Sequence, residues 1–180
     1  MNALTPNPLG QIDHADNRRS WPTRVSDLSE PEMLVLGAYR HWLTGIEHER
    51  PLHYEIVSRE FRIALGEEDG KSAFAAFSSM IRVLARGTPR TIRFHMPCCG
   101  ELGLSETQIV CLIAACQHGR LMLARSIAEW LVDPAHVGDL LGRLSLVGSL
   151  MANHGLTLPD RVSMHALPDG AGRSYIDTVH

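Results

Sequence analysis

The segment Phe94-His95-Met96-Pro97-Cys98-Cys99-Gly100 holds an imidazole and two thiols close together. A thiolate and an imidazole three residues apart in a loop can bind one metal ion, as short-spaced Cys and His ligands do in zinc sites. Cys98 and Cys99 are adjacent, and successive side chains point apart, so the two thiols are not expected to bind the same ion. The segment therefore predicts a zinc ligand pair made of His95 and one cysteine.

The other zinc ligands would come from the helix predicted after this segment, because a closed zinc site needs four ligands. Cys111 and His118 fall on one face of that helix, opposite its apolar stripe. They are two turns apart, about 10 Å of rise, so only one of them can reach the ion. The stripe contains Cys116, which is predicted to be buried as a small apolar residue. The candidate metal ligands are His95, Cys98, Cys99, Cys111 and His118.

The same segment also fits thiol chemistry. Arg90, Arg93 and the start of the helix at Ser105 would favour thiolate over thiol, which would make Cys98 or Cys99 reactive. Adjacent cysteines can also oxidise to a strained disulfide. This interpretation makes the protein a thiol-dependent redox protein, although no residue pattern identifies a substrate. A third interpretation is a hydrogen-bonded loop histidine beside ordinary thiols.

Positive charge is concentrated in the middle of the chain. The formal net charge is −3, yet residues 70–100 contain no Asp or Glu. A local positive field attracts phosphate, a nucleic-acid backbone or a carboxylate-rich partner. The predicted anion- or partner-binding residues are Arg82, Arg86, Arg90 and Arg93. The alternative is that Arg82 and Arg86 lie in the last turn of a helix, where cations are favoured by the helix dipole.

The elements that position these residues are helices, predicted from apolar residues at helical spacing between capping and stop signals. The predicted ranges are about 29–45, 52–65, 69–87, 105–118, 120–132 and 134–153. Ser29–Glu32 and Ser105–Gln108 are predicted capping boxes, and Asp69 is a predicted N-cap. Thr91–His95 alternates in polarity and is either a strand or an extended connector.

These elements predict an all-α protein, a single helical bundle of about six helices. Residues 1–28 are predicted to be a flexible N-terminal arm, 29–155 the helical domain, and 156–180 a loosely ordered C-terminal tail. The regular apolar stripe from Val137 to Met151 fits either the core or a homodimer seam through the 134–153 helix.

Two segments resemble a known family of DNA-binding proteins. Leu104-Ser105-Glu106-Thr107-Gln108-Ile109-Val110-Cys111-Leu112-Ile113-Ala114 is similar to the opening helix of LuxR-type helix-turn-helix regulators, and Ile127-Ala128-Glu129-Trp130-Leu131 resembles the second helix of that family. The resemblance covers some thirty residues and implies a transcriptional regulator whose reading helix begins near Pro134. The stretch from Gln117 to Ser126 is longer than the tight turn of the family.

Several classes of protein are not indicated. No apolar stretch approaches the roughly 18 residues that span a bilayer, and the four cysteines do not form a disulfide framework, so a cytoplasmic location is expected. Phosphate-loop, dinucleotide, zinc-protease and hydrolase motifs are missing. His41 and His48 are interpreted as part of a solvated helix face. The sequence favours a non-enzymatic helical regulatory or protein-interaction module; a divergent DNA-binding regulator and a redox protein are the alternatives.

Overall fold

Six α-helices follow one another through residues 22–161, the part of the chain that the computed structural model describes. They are α1 (Glu30–Glu47), α2 (Leu52–Leu65), α3 (Glu67–Gly87), α4 (Leu104–Gln117), α5 (Leu121–Leu131) and α6 (Pro134–Asn153). The described residues contain no strand, which confirms the predicted all-α fold with six helices. Residues 1–21 of the predicted arm and 162–180 of the predicted tail lie outside the described residues.

Helix α1 begins as its sequence predicts. The backbone N–H of Ser29 donates to Oε2 of Glu32 at 2.8 Å, as the predicted capping box requires, and the Ser29 hydroxyl donates to the same oxygen at 2.8 Å. The other oxygen of the Glu32 carboxylate accepts a hydrogen bond from Nε of Arg161 at 2.8 Å. The residue that caps α1 therefore also holds the far end of the described chain.

Helices α3 and α4 begin at other residues than predicted. Gly66 has a φ of +75°, which glycine adopts without strain, and the chain turns there directly from α2 into α3. Asp69 consequently lies in the first turn of α3 and is not its N-cap. Helix α4 begins one residue before Ser105, and Glu106 caps it by accepting the N–H of Gly103 at 2.8 Å. The predicted box at Ser105 is wrong because Ser105 already lies within the helix, whose N-cap is Gly103.

Helix α6 is the helix around which the core is built. Its apolar stripe packs against α3, α4 and α5, and the stripe is buried at Val137, Leu140, Leu144, Val147 and Met151. The stripe predicted as either core or homodimer seam is thus core. It is not available as a surface for a second copy.

Helix α4 is enclosed on nearly all sides. Every residue from Ile109 to Ala115 is buried, and the helix packs against α1, α5 and α6. Cys111, expected on an outer face, is 7% exposed, whereas Cys116, expected inside, is only partly buried. The predicted single stripe fails here because a helix at the centre of a bundle is apolar all round.

The 88–103 loop joins α3 to α4 without regular structure. Thr91–His95 is an extended connector and not a strand. Ile92, Phe94 and Leu102 pack their side chains partly against the core. A single antiparallel bridge between Arg24 and Glu101 pairs the loop with the described end of the predicted arm. The arm is therefore attached to the 88–103 loop from Thr23 onward.

The beginning of the predicted tail is also packed. Leu158 is fully buried, and its N–H donates to the side-chain oxygen of Gln117 at 2.8 Å. The Gln117 amide nitrogen in turn donates to the carbonyls of Gly148 and Leu156 at 2.9 and 3.1 Å. One glutamine side chain thus ties α4, α6 and the segment after α6 together. Among the residues described, no helix has the length and apolarity that crossing a membrane requires.

Candidate functional site

A buried ion pair lies beneath the 88–103 loop. Arg40 of α1 and Glu106 of α4 are 2% and 0% exposed, and their side chains meet in a two-pronged contact with both N–O distances at 2.9 Å. The guanidinium of Arg40 has further donors, and they bind the carbonyls of Cys99 and Glu101, each at 2.5 Å. The arginine therefore fixes the backbone of the loop from below.

Glu106 binds the same loop through its two oxygens. Oε1 accepts the backbone N–H of His95 at 2.7 Å, and Oε2 accepts that of Gly103 at 2.8 Å. The Nδ1 atom of His95 lies 3.1 Å from Oε2. Because one carboxylate satisfies groups at both ends of residues 95–103, it sets the shape of that segment.

The environment keeps Glu106 ionised. Burial alone would raise the pKa of its carboxyl group, but the hydrogen bonds from Arg40, His95 and Gly103 hold the pKa below its ordinary value. Tyr39 lies nearby in the core, and burial, together with the Glu106 carboxylate, raises the pKa of its phenol. The site is thus built on an ion pair that hydrogen bonds from the loop compensate.

The loop presents the predicted thiols on its outer side. Cys98 is exposed and Cys99 is partly exposed. The side chain of His95 is 39% exposed, with one ring nitrogen directed at Glu106. The structure therefore assigns His95 a role in holding the loop, which is the hydrogen-bonded alternative considered for this histidine.

The other two candidate ligands do not join these residues. Cys111 is buried, and burial, with a smaller contribution from Glu32, raises the pKa of its thiol to about 12. Nε2 of His118 lies 2.8 Å from the carbonyl of Leu158 and holds the segment after α6. Across residues 22–161, no three His, Cys, Asp or Glu side chains come close enough together to hold a metal ion. The predicted zinc site has no support in this geometry.

The four predicted anion-binding arginines are all exposed. Arg82 and Arg86 lie on the last turns of α3, and Arg90 and Arg93 lie in the 88–103 loop. None of the four forms an ion pair with an acidic group between residues 22 and 161. Arg90 stacks 4.5 Å above the ring of Trp130 and donates to the carbonyl of that residue at 3.1 Å. We call these four arginines the basic surface.

A histidine pair was not anticipated from the sequence. Nδ1 of His41 on α1 lies 2.8 Å from Nδ1 of His53 on α2, so one ring must donate a proton and the other accept it. Burial lowers the pKa of His41, His53 lowers it further, and Glu60 partly opposes the shift. The predicted solvated face is therefore wrong for His41, while His48 is exposed. A helical wheel of α1 alone could not reveal a partner on the next helix.

The geometry does not favour the helix-turn-helix interpretation. Helices α4 and α5 do follow the resemblance, and the turn between them is only residues 118–120. The helix that would read DNA is α6, whose apolar stripe is sealed in the core. On its exposed side, Asp139 and Arg143 pair with each other at 3.4 Å. A recognition helix reads base edges with exposed Arg, Lys, Asn or Gln side chains, whereas the arginine on the outer side of α6 is already paired with an acid.

Comparison of the chain with models of known protein families, with curated proteins and with solved structures gives no match.

Proposed function

We propose that this protein is a non-enzymatic, cytoplasmic interaction module of a regulatory kind, and that its basic surface binds an acidic segment of a protein partner. The observation that carries the proposal is the buried Arg40–Glu106 network beneath the 88–103 loop. Loops longer than about 12 residues without regular structure are uncommon in compact domains and usually serve a function. This sixteen-residue loop spans the interval from α3 to α4.

The chemistry of the network supports a role beyond stability. A buried ion pair contributes little net stability compared with apolar residues of the same volume, because both charges lose their hydration. Four loop carbonyl and N–H groups are nonetheless bound by this one pair, at Glu101, Cys99, His95 and Gly103. Such an arrangement is understandable if the shape of the loop must be kept constant for a partner.

The electrostatics of the basic surface favour an acidic partner. Residues 70–100 have no acid of their own to neutralise the arginines. Exposed guanidinium groups bind carboxylates in two-pronged hydrogen bonds, which Lys cannot form. The stacked Arg90 is held in one orientation by Trp130. We favour an acidic peptide over nucleic acid because the whole chain carries a net charge of −3.

Fluorescence anisotropy with labelled peptides tests the proposal. The probes are an alternating Glu/Ser peptide, a Lys/Ser peptide of equal length, and a DNA duplex. The wild-type protein is expected to bind the Glu/Ser peptide alone, with an affinity that falls as salt increases. The double variant Arg86→Glu, Arg93→Glu should weaken this binding by about tenfold or more, equivalent to about 1.4 kcal/mol.

The matched control is Arg125→Glu, Arg143→Glu, which changes the net charge equally on α5 and α6. Its affinity should stay within about threefold of the wild type. A second variant, Arg40→Met with Glu106→Leu, keeps all four arginines but frees the loop, and it should also weaken peptide binding. The proposal would be overturned if the Arg86/Arg93 variant and the Arg125/Arg143 control lost peptide affinity equally. Tighter, sequence-dependent binding to the DNA duplex would also overturn it.

A further inference from the structure

The outer face of α2 carries an apolar ridge that points away from the core. Leu52 and Ile63 are 63% and 72% exposed, and the partly buried Ile56 lies between them in the sequence. The opposite face of the helix is buried at Val57, Phe61 and Leu65. Leu52, Ile56, Arg59 and Ile63 recur at intervals of four, three and four residues. This is the spacing of the seam positions in a helix pair that packs by heptads.

A groove runs along each side of this ridge. The groove between α1 and α2 has a volume of about 600 Å³, and Met33, Ile56 and Ile63 contribute to its lining. The groove between α2 and α3 has about 550 Å³, with Leu52, Ile56 and Phe74 among its lining residues. A helix of a second molecule laid along the ridge would cover apolar residues in both grooves. Helix α2 of a second copy can take this position, because its own apolar residues recur at the same seam spacing.

The charges beside the ridge select one orientation of the two copies. In an antiparallel pair about a twofold axis, Leu52 meets Ile63 of the second copy, and Ile56 meets the methylene stem of its Arg59. Glu55 then faces Arg62 of the second copy, once towards each end of the seam. In a parallel pair Arg59 would meet Arg59, and Glu55 would meet Glu60, so like charges would oppose each other.

These charged groups are free to make such contacts. Within the described residues, Arg59 and Arg62 have only exposed partners of their own, Glu60 at 3.4 Å and Glu67 at 3.5 Å. Exposed ion pairs of this kind are weak and exchange readily. Pairing with a second copy would therefore not require a strong contact to be broken.

We propose that α2 is the self-association helix of this protein, and that two copies pair through antiparallel α2 helices. This dimer surface differs from the one predicted on the 134–153 helix, because the apolar stripe of that helix is buried in the core. Helix α2 has 14 residues and is about 21 Å long, so the interface is at the small end of the range for specific complexes. The dimer should accordingly be concentration-dependent.

Sedimentation equilibrium of the full chain tests this proposal. Between about 1 μM and about 1 mM the average mass should rise from 19.9 kDa towards twice that value. Ile63→Glu should weaken association by about tenfold or more, because it places a charge in the seam. The matched control is Met122→Glu, at a methionine that is 78% exposed on α5, and it should leave association unchanged.

A charge exchange tests the orientation and does not depend on the Ile63 variant folding. Glu55→Arg and Arg62→Glu should each weaken the dimer, and the combination of both should restore it, since the antiparallel pair recreates each contact with reversed signs. A monomeric mass at every protein concentration would overturn the proposal. So would a double variant that associates more weakly than either single variant. Binding of the wild type to phosphatidylcholine vesicles that Ile63→Glu abolishes, without any dimer, would instead assign the ridge to a lipid surface.

Discussion

Arg40 and Glu106 are the residues on which the shape of the 88–103 loop depends most. Removing one member of a buried pair leaves the other charge without compensation, which costs about 3–5 kcal/mol. We expect Arg40→Met to lower the free energy of unfolding by that amount in urea titrations. Replacing both residues, as Arg40→Met with Glu106→Leu, should recover most of this loss, because the buried charge is gone.

The loop should respond differently from the bundle in the double variant. The amides of His95 and Gly103 donate to Glu106, so their hydrogen exchange should accelerate even when global stability is recovered. Arg125→Met, at an arginine that is 63% exposed, is the control and should change stability by less than about 0.5 kcal/mol. Unchanged amide exchange in the double variant would contradict the assigned role of the pair.

The His41–His53 pair gives the protein a defined pH dependence. Because the pKa of His41 is lowered in the folded state, the unfolded chain takes up a proton at a higher pH than the folded chain does. The free energy of unfolding should therefore decrease as the pH falls through 6.5, the ordinary pKa of histidine. Urea titrations at a series of pH values should show a smaller decrease in His41→Gln. The exposed His48 provides the control, and a His48→Gln slope that flattens equally would contradict this prediction.

The ion pair and the histidine pair show what could not be predicted from the sequence. Arg40 and Glu106 are 66 residues apart in the chain, and His41 and His53 lie on different helices. No local spacing relates such residues, because only the packing of helices brings them together. The segment around His95 was identified from its residue types, but its partner Glu106 was interpreted only as part of a helix cap.

At the scale of helices, the close approach of α2 and α3 depends on Gly70. A Cβ atom at this position would lie 2.5 Å from Cα of Arg62 and 2.8 Å from the carbonyl oxygen of Phe61. Both atoms belong to a helix backbone, which cannot move aside as a side chain can. We expect Gly70→Ala to cost about 1–3 kcal/mol of unfolding free energy through overpacking, although alanine favours helices.

Gly142 provides the matched control for this helix contact. It lies in the middle of α6, and a Cβ there would meet no atom within 4 Å. Gly142→Ala should therefore raise the free energy of unfolding by about 0.5–1 kcal/mol, the ordinary gain in helix propensity. Denaturant titration of both variants distinguishes the two effects. Opposite signs are expected, and two stabilised variants would show that the α2–α3 crossing is looser than described.

Helices were more predictable from the sequence than their starting residues. The six helical ranges follow from apolar periodicity, and the box at Ser29 was confirmed, because these signals are local. The predicted starts of α3 and α4 were wrong, because several neighbouring acids and hydroxyls can each serve as a cap. The packing of the first turn decides which residue does so. The predicted buried and exposed faces of α4 were wrong as well, because apolar periodicity identifies a buried stripe only in a helix that has one solvated side.

For the molecule as a whole, the two proposed surfaces belong to different elements: the basic surface to α3 and the 88–103 loop, the ridge to α2. They are joined by a core that includes more of the chain than the predicted domain of residues 29–155. The segment after α6 is bound by Gln117 of α4 and by His118 directly after that helix, and it reaches Glu32 of α1. Its contacts reach both α4 and α1, so it should unfold together with the bundle.

Leu158→Ala tests whether this segment belongs to the cooperative unit. Leu158 is fully buried, and truncating a buried leucine costs about 2–5 kcal/mol when the surrounding structure unfolds with it. Leu146, a leucine of α6 that is 46% exposed, provides the control, and Leu146→Ala should cost less than about 1 kcal/mol. A loosely attached segment would instead detach first, because its local opening would require less free energy than unfolding of the bundle. Small losses of unfolding free energy in both variants, together with fast hydrogen exchange of the Leu158 amide in the wild type, would show that the helical domain ends at α6.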